Sequence, residues 1–176
     1  MKLLIIADDF TGALDTGVQF AAAGAKTKVV VGDNVDFQKV EEDVLVVDTE
    51  TRHLPAENAY NRVYRLAKEA KAAQVPYIYK KTDSALRGNI GAELQALADA
   101  SEDKILPFLP AFPQMNRVTK QGIHLIDGVG VTKSPFGQDP FEPVKHDAVK
   151  DIIAEQSHLN VYNVTKTDEH MFEDDM

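Results

Sequence analysis

Between Tyr77 and Leu94 the sequence YIYKKTDSALRGNIGAEL gathers side chains suited to holding a small anion. Lys80 to Asn89 alone supplies three cations, one carboxylate, two hydroxyls and a glycine. Tyr77-Ile78-Tyr79 reads as a short strand, and Ile90, Leu94 and Leu97 recur at helical spacing, so the polar run is a strand-to-helix turn. Unpaired N–H groups at a helix start, with the helix dipole behind them, favour negative charge there. The Arg87 guanidinium can grip a carboxylate or phosphate through two parallel hydrogen bonds. The same residues also fit a plainer reading, in which Asp83 or Ser84 caps the helix and the cations are solvated.

Three further polar clusters follow expected strands. They are Asp8 to Thr11, Thr49 to Arg52 and Phe112 to Arg117. Ligands of an open parallel sheet bind outside the carboxyl ends of its strands, so the four clusters are expected to converge on one edge. Together they offer the carboxylates Asp8, Asp9 and Asp83, the cations Arg52, Lys81, Arg87 and Arg117, and the neutral hydrogen-bonders Thr11, Ser84, Asn89 and Gln114. Such a mixture suits a small polyhydroxylated acid. Asp9 or Thr11 serves equally as an N-cap, and Arg52 and Arg117 as surface ion-pair partners worth ~0–1 kcal/mol. The five histidines lack metal-site spacing, so no metal is expected. Gly128 and Gly130 lack the glycine that a phosphate loop needs just before Lys133, and are expected to form a hairpin turn.

The elements that must position these groups alternate. Strands are expected over Lys2 to Ala7, Thr27 to Val31, Val44 to Val47, Tyr77 to Tyr79 and Lys104 to Leu109. Helices are expected up to about Ala23, with Ala13, Leu14, Gly17, Val18 and Ala21 inward, over Pro55 to Ala73, and from Gly88 to Ala100. This order predicts an α/β fold with a mainly parallel Rossmann-like sheet flanked by helices. After the fifth strand, Ile123 to Thr132 reads as a β-hairpin about Asp127-Gly128, Asp147 to Gln156 as a short helix and Leu159 to Val164 as one more strand. Residues 1–164 are expected to form one domain, and the acidic residues 165–176 a frayed tail.

The net charge of −9 argues against nucleic-acid or anionic-membrane binding. No apolar run approaches the ~18 residues of a membrane span. The N-terminal MKLLIIADDF is too short for a signal-peptide core, so a cytoplasmic protein is expected. The absence of cysteine excludes disulfides and thiolate chemistry.

The segments ADDFTGALDTGVQFAAAG, DTETRH, YKKTDSALRGNIGAEL and PAFPQMNRVTKQG, in this order, closely resemble the N-terminal domain of the four-carbon acid sugar kinases, among them threonate, erythronate and 3-oxo-tetronate kinases. The resemblance covers nearly the whole chain. It implies a two-domain enzyme moving the γ-phosphate of ATP onto the terminal hydroxyl of a sugar acid, with ATP and Mg²⁺ bound by the other domain. It also implies that Asp9 binds the substrate hydroxyls and that Arg52, Lys81, Asp83, Ser84 and Arg87 line the same pocket. Which of Asp8 and Asp9 faces the ligand stays open, with Asp9 better placed at the helix start. The C-terminal glycine-rich nucleotide-binding half is not found in this sequence. The isolated chain is therefore expected to bind the acid without phosphorylating it, with no tightly bound cofactor of its own. A separate chain would carry the nucleotide-binding half, and self-association into a homo-oligomer fits as well.

Two alternatives remain. An aspartyl-phosphate phosphatase would use Asp8 or Asp9 as nucleophile with magnesium, but the second Asp of that motif is replaced by Phe10. A non-catalytic metabolite-binding fragment is the other.

Overall fold

The computed structural model describes residues 1–101 and 105–164. Four parallel strands, β1 (Leu3–Ala7), β2 (Thr27–Val31), β3 (Val44–Asp48) and β4 (Tyr77–Lys81), form a sheet in the order β2-β3-β1-β4. The central positions fall to the two most continuously apolar segments, because a strand covered on both faces has no place for alternating polar groups. Leu4 to Ala7 and Val44 to Asp48 are accordingly buried. The register Ala7↔Asp48 and Ala7↔Lys81 brings the polar ends of β1, β3 and β4 level with one another.

One face of the sheet packs Leu4, Ile6, Leu45 and Val47 against Val63, Leu66 and Ala70 of α2 (Ala56–Ala72) and Ala96, Leu97 and Ala100 of α3 (Ile90–Ser101). The other face packs Ile5, Ala7, Val44 and Val46 against α1 (Phe10–Ala22). Here the expected inward side of α1 is corrected. Gly12, Ala13 and Gly17 face the sheet, while Leu14 and Val18 are exposed. A Cβ at Gly17 would lie 3.0 Å from Val29 and 3.4 Å from Val46, so the helix approaches the sheet on its smallest side chains.

A second, antiparallel sheet contains β5 (Arg117–Lys120), β6 (Ile123–Ile126) and β7 (Val129–Gly130). The expected Asp127-Gly128 turn joins β6 to β7, and an unexpected Gln121-Gly122 turn joins β5 to β6. Both turns carry two successive positive φ values, the conformation that matches strand twist in two-residue hairpins. Val131–Lys133 leaves the hairpin as a single 3₁₀ turn. Ala85, Leu86, Ile90 and Leu94 join Ile126, Val131, Val144, Val149, Ile152 and Ile153 in a cluster that ties this sheet and α4 (Val149–Ala154) to α3. Helix α3 is thus the shared wall of both halves.

Two expected strands do not form. Ile105 to Leu109 is irregular and largely exposed, and among the described residues the parallel sheet has four strands rather than five. Pro107 falls at the centre of that segment, where it removes a ladder donor. Leu159 to Val164 is also irregular, with Leu159 and Val161 packed on the second cluster. The α4 helix is shorter than the expected Asp147 to Gln156. The expected fraying of 165–176 lies outside the described residues. Among the described residues, no helix is long and apolar enough to cross a membrane.

Candidate functional site

The carboxyl ends of β1, β3 and β4 meet around one guanidinium. Arg52 is 9% exposed; its Nε donates to Asp8 Oδ2 at 2.8 Å, its Nη1 donates to Asp9 Oδ2 at 2.7 Å, and its Nη2 lies 3.9 Å from Asp83 Oδ1. Burial works against the Arg52 charge, but Asp8, then Asp83 and Asp9, outweigh it and hold the group still more firmly protonated. The three carboxylates come from two strand ends at sequence separations of 31 to 44, so only the parallel register could assemble them.

The two aspartates after β1 divide their work. Asp8 is 2% exposed, gives Oδ2 to Arg52, and leaves Oδ1 buried without a hydrogen-bond partner. Asp9 is the N-cap of α1: its Oδ1 accepts the Gly12 N–H at 2.9 Å, and its side chain stays 28% exposed. Asp9 is therefore the carboxylate with a solvent-facing side, and Thr11 is not the cap. The seclusion of Asp8 against Arg52 also counts against a phosphatase nucleophile, which must reach phosphorus. Lys81 donates through Nζ to the Thr82 carbonyl at 2.7 Å and lies beside Gly12, whose added Cβ would be 3.2 Å from that nitrogen. This places an ammonium beside the α1 N-terminus, next to Asp9.

The turn after β4 is held by its own ion pair. Asp83 accepts from Arg87 Nε at 2.7 Å, Arg87 Nη2 at 3.0 Å and the Arg87 backbone N–H at 3.2 Å. Burial pushes the Asp83 carboxyl up, but the Arg87 hydrogen bonds and the Arg52 charge more than offset it and hold the pKa below the usual carboxylate range. Leu86 takes φ +62 to close this turn, a left-handed value disfavoured for a branched side chain. Gly88 takes φ +83, and a Cβ there would lie 2.8 Å from Arg52 Cγ and 3.0 Å from the Arg52 carbonyl. Only glycine lets the two loops come this close.

Asn89, expected among the ligand-facing groups, is committed to scaffolding. Its Nδ2 donates to the carbonyls of Thr51 at 2.8 Å and Leu54 at 2.8 Å, with Arg52 at 3.3 Å, and its Oδ1 accepts from Gln156 Nε2 at 3.0 Å. It fixes the Arg52 loop from behind. Gln114 is exposed in the 3₁₀ turn Pro113–Met115, Thr11 is exposed in the first turn of α1, and among the described residues neither hydrogen-bonds to the cluster. The expectation that Phe112 to Arg117 follows a parallel strand is corrected with the fifth strand itself. Arg117 arrives instead on β5, and its Nη1 donates to Ser84 Oγ at 2.5 Å. The guanidinium carbons of Arg87 and Arg117 each stand 5.0 Å from the centroid of the Phe136 ring.

Several supporting residues escaped the sequence reading. Glu93, 1% exposed on α3, pairs with Lys80 Nζ at 2.9 Å and accepts the Thr51 hydroxyl, which is in turn 2.8 Å from the Thr49 hydroxyl. Thr49 donates to the Ala7 carbonyl at 2.7 Å, so the chain of contacts links the ends of β1, β3 and β4 to α3. His124 is fully buried, with Nε2 2.8 Å from the Ser84 carbonyl and Nδ1 3.1 Å from Thr119 Oγ1. Burial, helped by the Arg117 charge, lowers its pKa despite the Ser84 carbonyl. The signal for Glu93 was a charge amid an apolar helical face, and for Lys80 a cation alternating with Ile78; both resemble solvated residues in sequence.

In sum Asp8, Asp9 and Asp83 gather around Arg52 and Arg87, with Lys81 beside Asp9 and Arg117 beside Ser84. A Cβ at Gly130 would lie 2.4 Å from Asp147 Oδ2, and Asp147 Oδ1 accepts the Thr132 N–H at 2.8 Å, so a carboxylate already occupies the place where a phosphate loop would present its amides. The Gly128–Gly130 turn is therefore not a phosphate loop.

Residues 3–174 match the profile of a family described as the sugar-binding N-terminal domain. A D-threonate kinase of Salmonella typhimurium is 41% identical over 165 residues, covering 93% of this chain and 39% of the relative. A D-erythronate kinase of Heliobacterium modesticaldum is 34% identical over 165 residues, covering 91% of this chain and 37% of the relative. A domain of unknown function from Bordetella bronchiseptica, solved with bound citrate as a domain-swapped dimer, superposes with a TM-score of 0.82 at 35% identity, covering 87% of this chain and 40% of that one. The chain spans about two fifths of the length of these proteins.

Proposed function

The chain belongs to the family of the sugar-binding N-terminal domain, and from that premise we propose that it binds a four-carbon sugar acid as the acceptor-holding half of an ATP-dependent kinase. The observation that carries this reading is the Asp9–Arg52–Asp83 cluster at the sheet edge. Asp9 is held in place by the helix it caps and by Arg52, yet keeps a solvent-facing side. A carboxylate fixed in this way can accept hydrogen bonds from substrate hydroxyls with little reorganisation. Lys81, Ser84 and Arg87 stand at the same sheet edge.

The relatives named D-threonate and D-erythronate kinase supply the substrate class, and transfer to the terminal hydroxyl of that acid is part of the proposal. The nucleotide, with Mg²⁺, would be held by a further half, in the same polypeptide or on a separate chain. These 176 residues alone bind the acid and do not transfer phosphate. The setting is the cytoplasm, where ATP is available, and self-association is expected by analogy with the dimeric Bordetella domain.

The test is a thermal-shift titration with D-threonate, D-erythronate and a neutral tetrose, without nucleotide. A ligand of the native state at a hundredfold excess over Kd adds ~2.7 kcal/mol of stability. A shift with the acids, abolished in Asp9→Ala, is the expected result. Absence of any shift at millimolar acid, or an equal response to the neutral sugar, would overturn the reading.

A further inference from the structure

The functional reading leaves open which cation recognises the carboxylate of the acid, and the site holds four candidates. Arg52 is saturated: Asp8 and Asp9 each take one of its nitrogens, and Asp83 stands opposite a third. Arg87 has spent its fork on Asp83 through two parallel bonds. Lys81 donates to the Thr82 carbonyl and sits beside the Asp9 end of α1, where it serves groups next to that carboxylate.

Arg117 differs from all three. Its guanidinium makes a single hydrogen bond among the described residues, to a neutral hydroxyl, Ser84 Oγ, and no described carboxylate lies within ion-pair distance. The guanidinium is half-buried and rests on the Phe136 ring, which holds it through cation–π attraction without neutralising it. Ser84 is itself anchored, because its carbonyl is bonded by His124, a fully buried side chain on β6. A positioned, unneutralised arginine beside a fixed hydroxyl is a receptor for a planar anion.

Building on the sugar-acid reading, we propose that Arg117 and Ser84 form the carboxylate-recognition subsite, so that the antiparallel sheet distinguishes an acid from a neutral polyol while the parallel sheet holds the hydroxyls. Phe136 is a positioning residue for this subsite: it fixes the plane of the Arg117 guanidinium without touching the ligand.

The experiment is calorimetric titration of the full chain with D-threonate, neutral threitol and inorganic phosphate, on the wild type, Arg117→Met, Arg117→Lys and Phe136→Leu. The wild type is expected to prefer threonate to threitol. Loss of one charge-assisted pair predicts a roughly tenfold to hundredfold drop in threonate affinity in Arg117→Met, with threitol affinity changed by less than about threefold. Arg117→Lys should recover part of the preference, and Phe136→Leu should weaken threonate selectively while the charge remains. The melting temperature of each variant, measured alongside, separates misfolding from lost recognition. An unchanged threonate-to-threitol ratio in Arg117→Met and Phe136→Leu overturns the assignment, as does an effect confined to inorganic phosphate. A wild type that binds neither threonate nor threitol overturns the sugar-acid reading, and the assignment with it.

Discussion

The Lys80–Glu93 pair gives the sharpest test of how the site is supported. Its members are 3% and 1% exposed at the side chain, and the ammonium and carboxylate are 2.9 Å apart. At an effective dielectric of about 20, two unit charges at that distance attract by roughly 6 kcal/mol, which must be set against several kcal/mol of lost hydration per ion. The net worth of the pair is therefore small, but the loss of one member is not. Glu93→Gln keeps an acceptor for the Thr51 hydroxyl and removes only the charge, leaving Lys80 to stay charged without a counter-ion or to give up its proton. The expected cost is ~3–5 kcal/mol, a large share of the ~5–15 kcal/mol that holds a domain folded. With a urea slope of ~2 kcal/mol/M, the midpoint should fall by ~1.5–2.5 M. Lys80→Met combined with Glu93→Leu removes both charges and should recover most of that loss. A midpoint shift below about 0.5 M for Glu93→Gln, a small fraction of the expected change, would refute the reasoning. So would a double variant no more stable than the single one.

Other outcomes follow from the same contacts. Gly88→Ala should cost ~1–2 kcal/mol from its left-handed backbone alone and should also abolish the acid-induced thermal shift, because its Cβ would displace Arg52. Gly91→Ala sets a Cβ 2.2 Å from the Ile153 carbonyl; overpacking of this kind costs ~1–3 kcal/mol, and the loss should appear in urea midpoints without a change in ligand selectivity. Asp83 and His124 both have lowered pKa values in the fold, so the unfolded chain binds more protons than the native one as pH falls below each unfolded value. Stability should therefore decline from about pH 6.5 downward through His124 and again below about pH 4 through Asp83, and replacing His124 by Gln should remove the first decline. Asp48 has the opposite sign: burial, with Glu50, Asp9 and Asp8 nearby, raises its pKa, so its ionisation opposes folding as pH rises. Asp48→Asn should raise the melting temperature at pH 7 more than at pH 4. Incubation of the isolated chain with Mg²⁺–ATP and D-threonate should yield no phosphorylated acid by mass spectrometry.

The parallel sheet was legible because β1 and β3 are continuous apolar runs that end abruptly in polar residues. That abruptness also marked Asp9, Arg52 and Asp83, which the structure does bring together. What local pattern could not convey was competition between neighbours. Ile105 to Leu109 has strand composition, but Pro107 weakens its pairing and it stays outside the sheet. The apolar residues of α1 outnumber the positions the sheet can cover, and close approach through Gly17 turned Leu14 and Val18 outward. Composition groups Asn89 with ligand-binding residues, whereas long-range partners at Thr51, Leu54 and Gln156 claim its amide. Lys80 and Glu93 were invisible for a related reason, since a buried ion pair is recognised only when its two halves are seen together.

The Asn89 amide has a consequence for how the chain reaches its native state. It bonds backward to the loop after β3 and forward to Gln156, while Arg52 reaches back 44 residues to Asp8. Each of these closures must wait for loop-closure entropy to be overcome, so they belong among the slow, non-local events of folding rather than the early helical ones. Ligand-binding competence should therefore lag behind the recovery of helical circular dichroism during refolding. A nascent or partly unfolded chain would carry its secondary structure without an assembled Arg52 cluster, so binding of the proposed acid would report complete assembly.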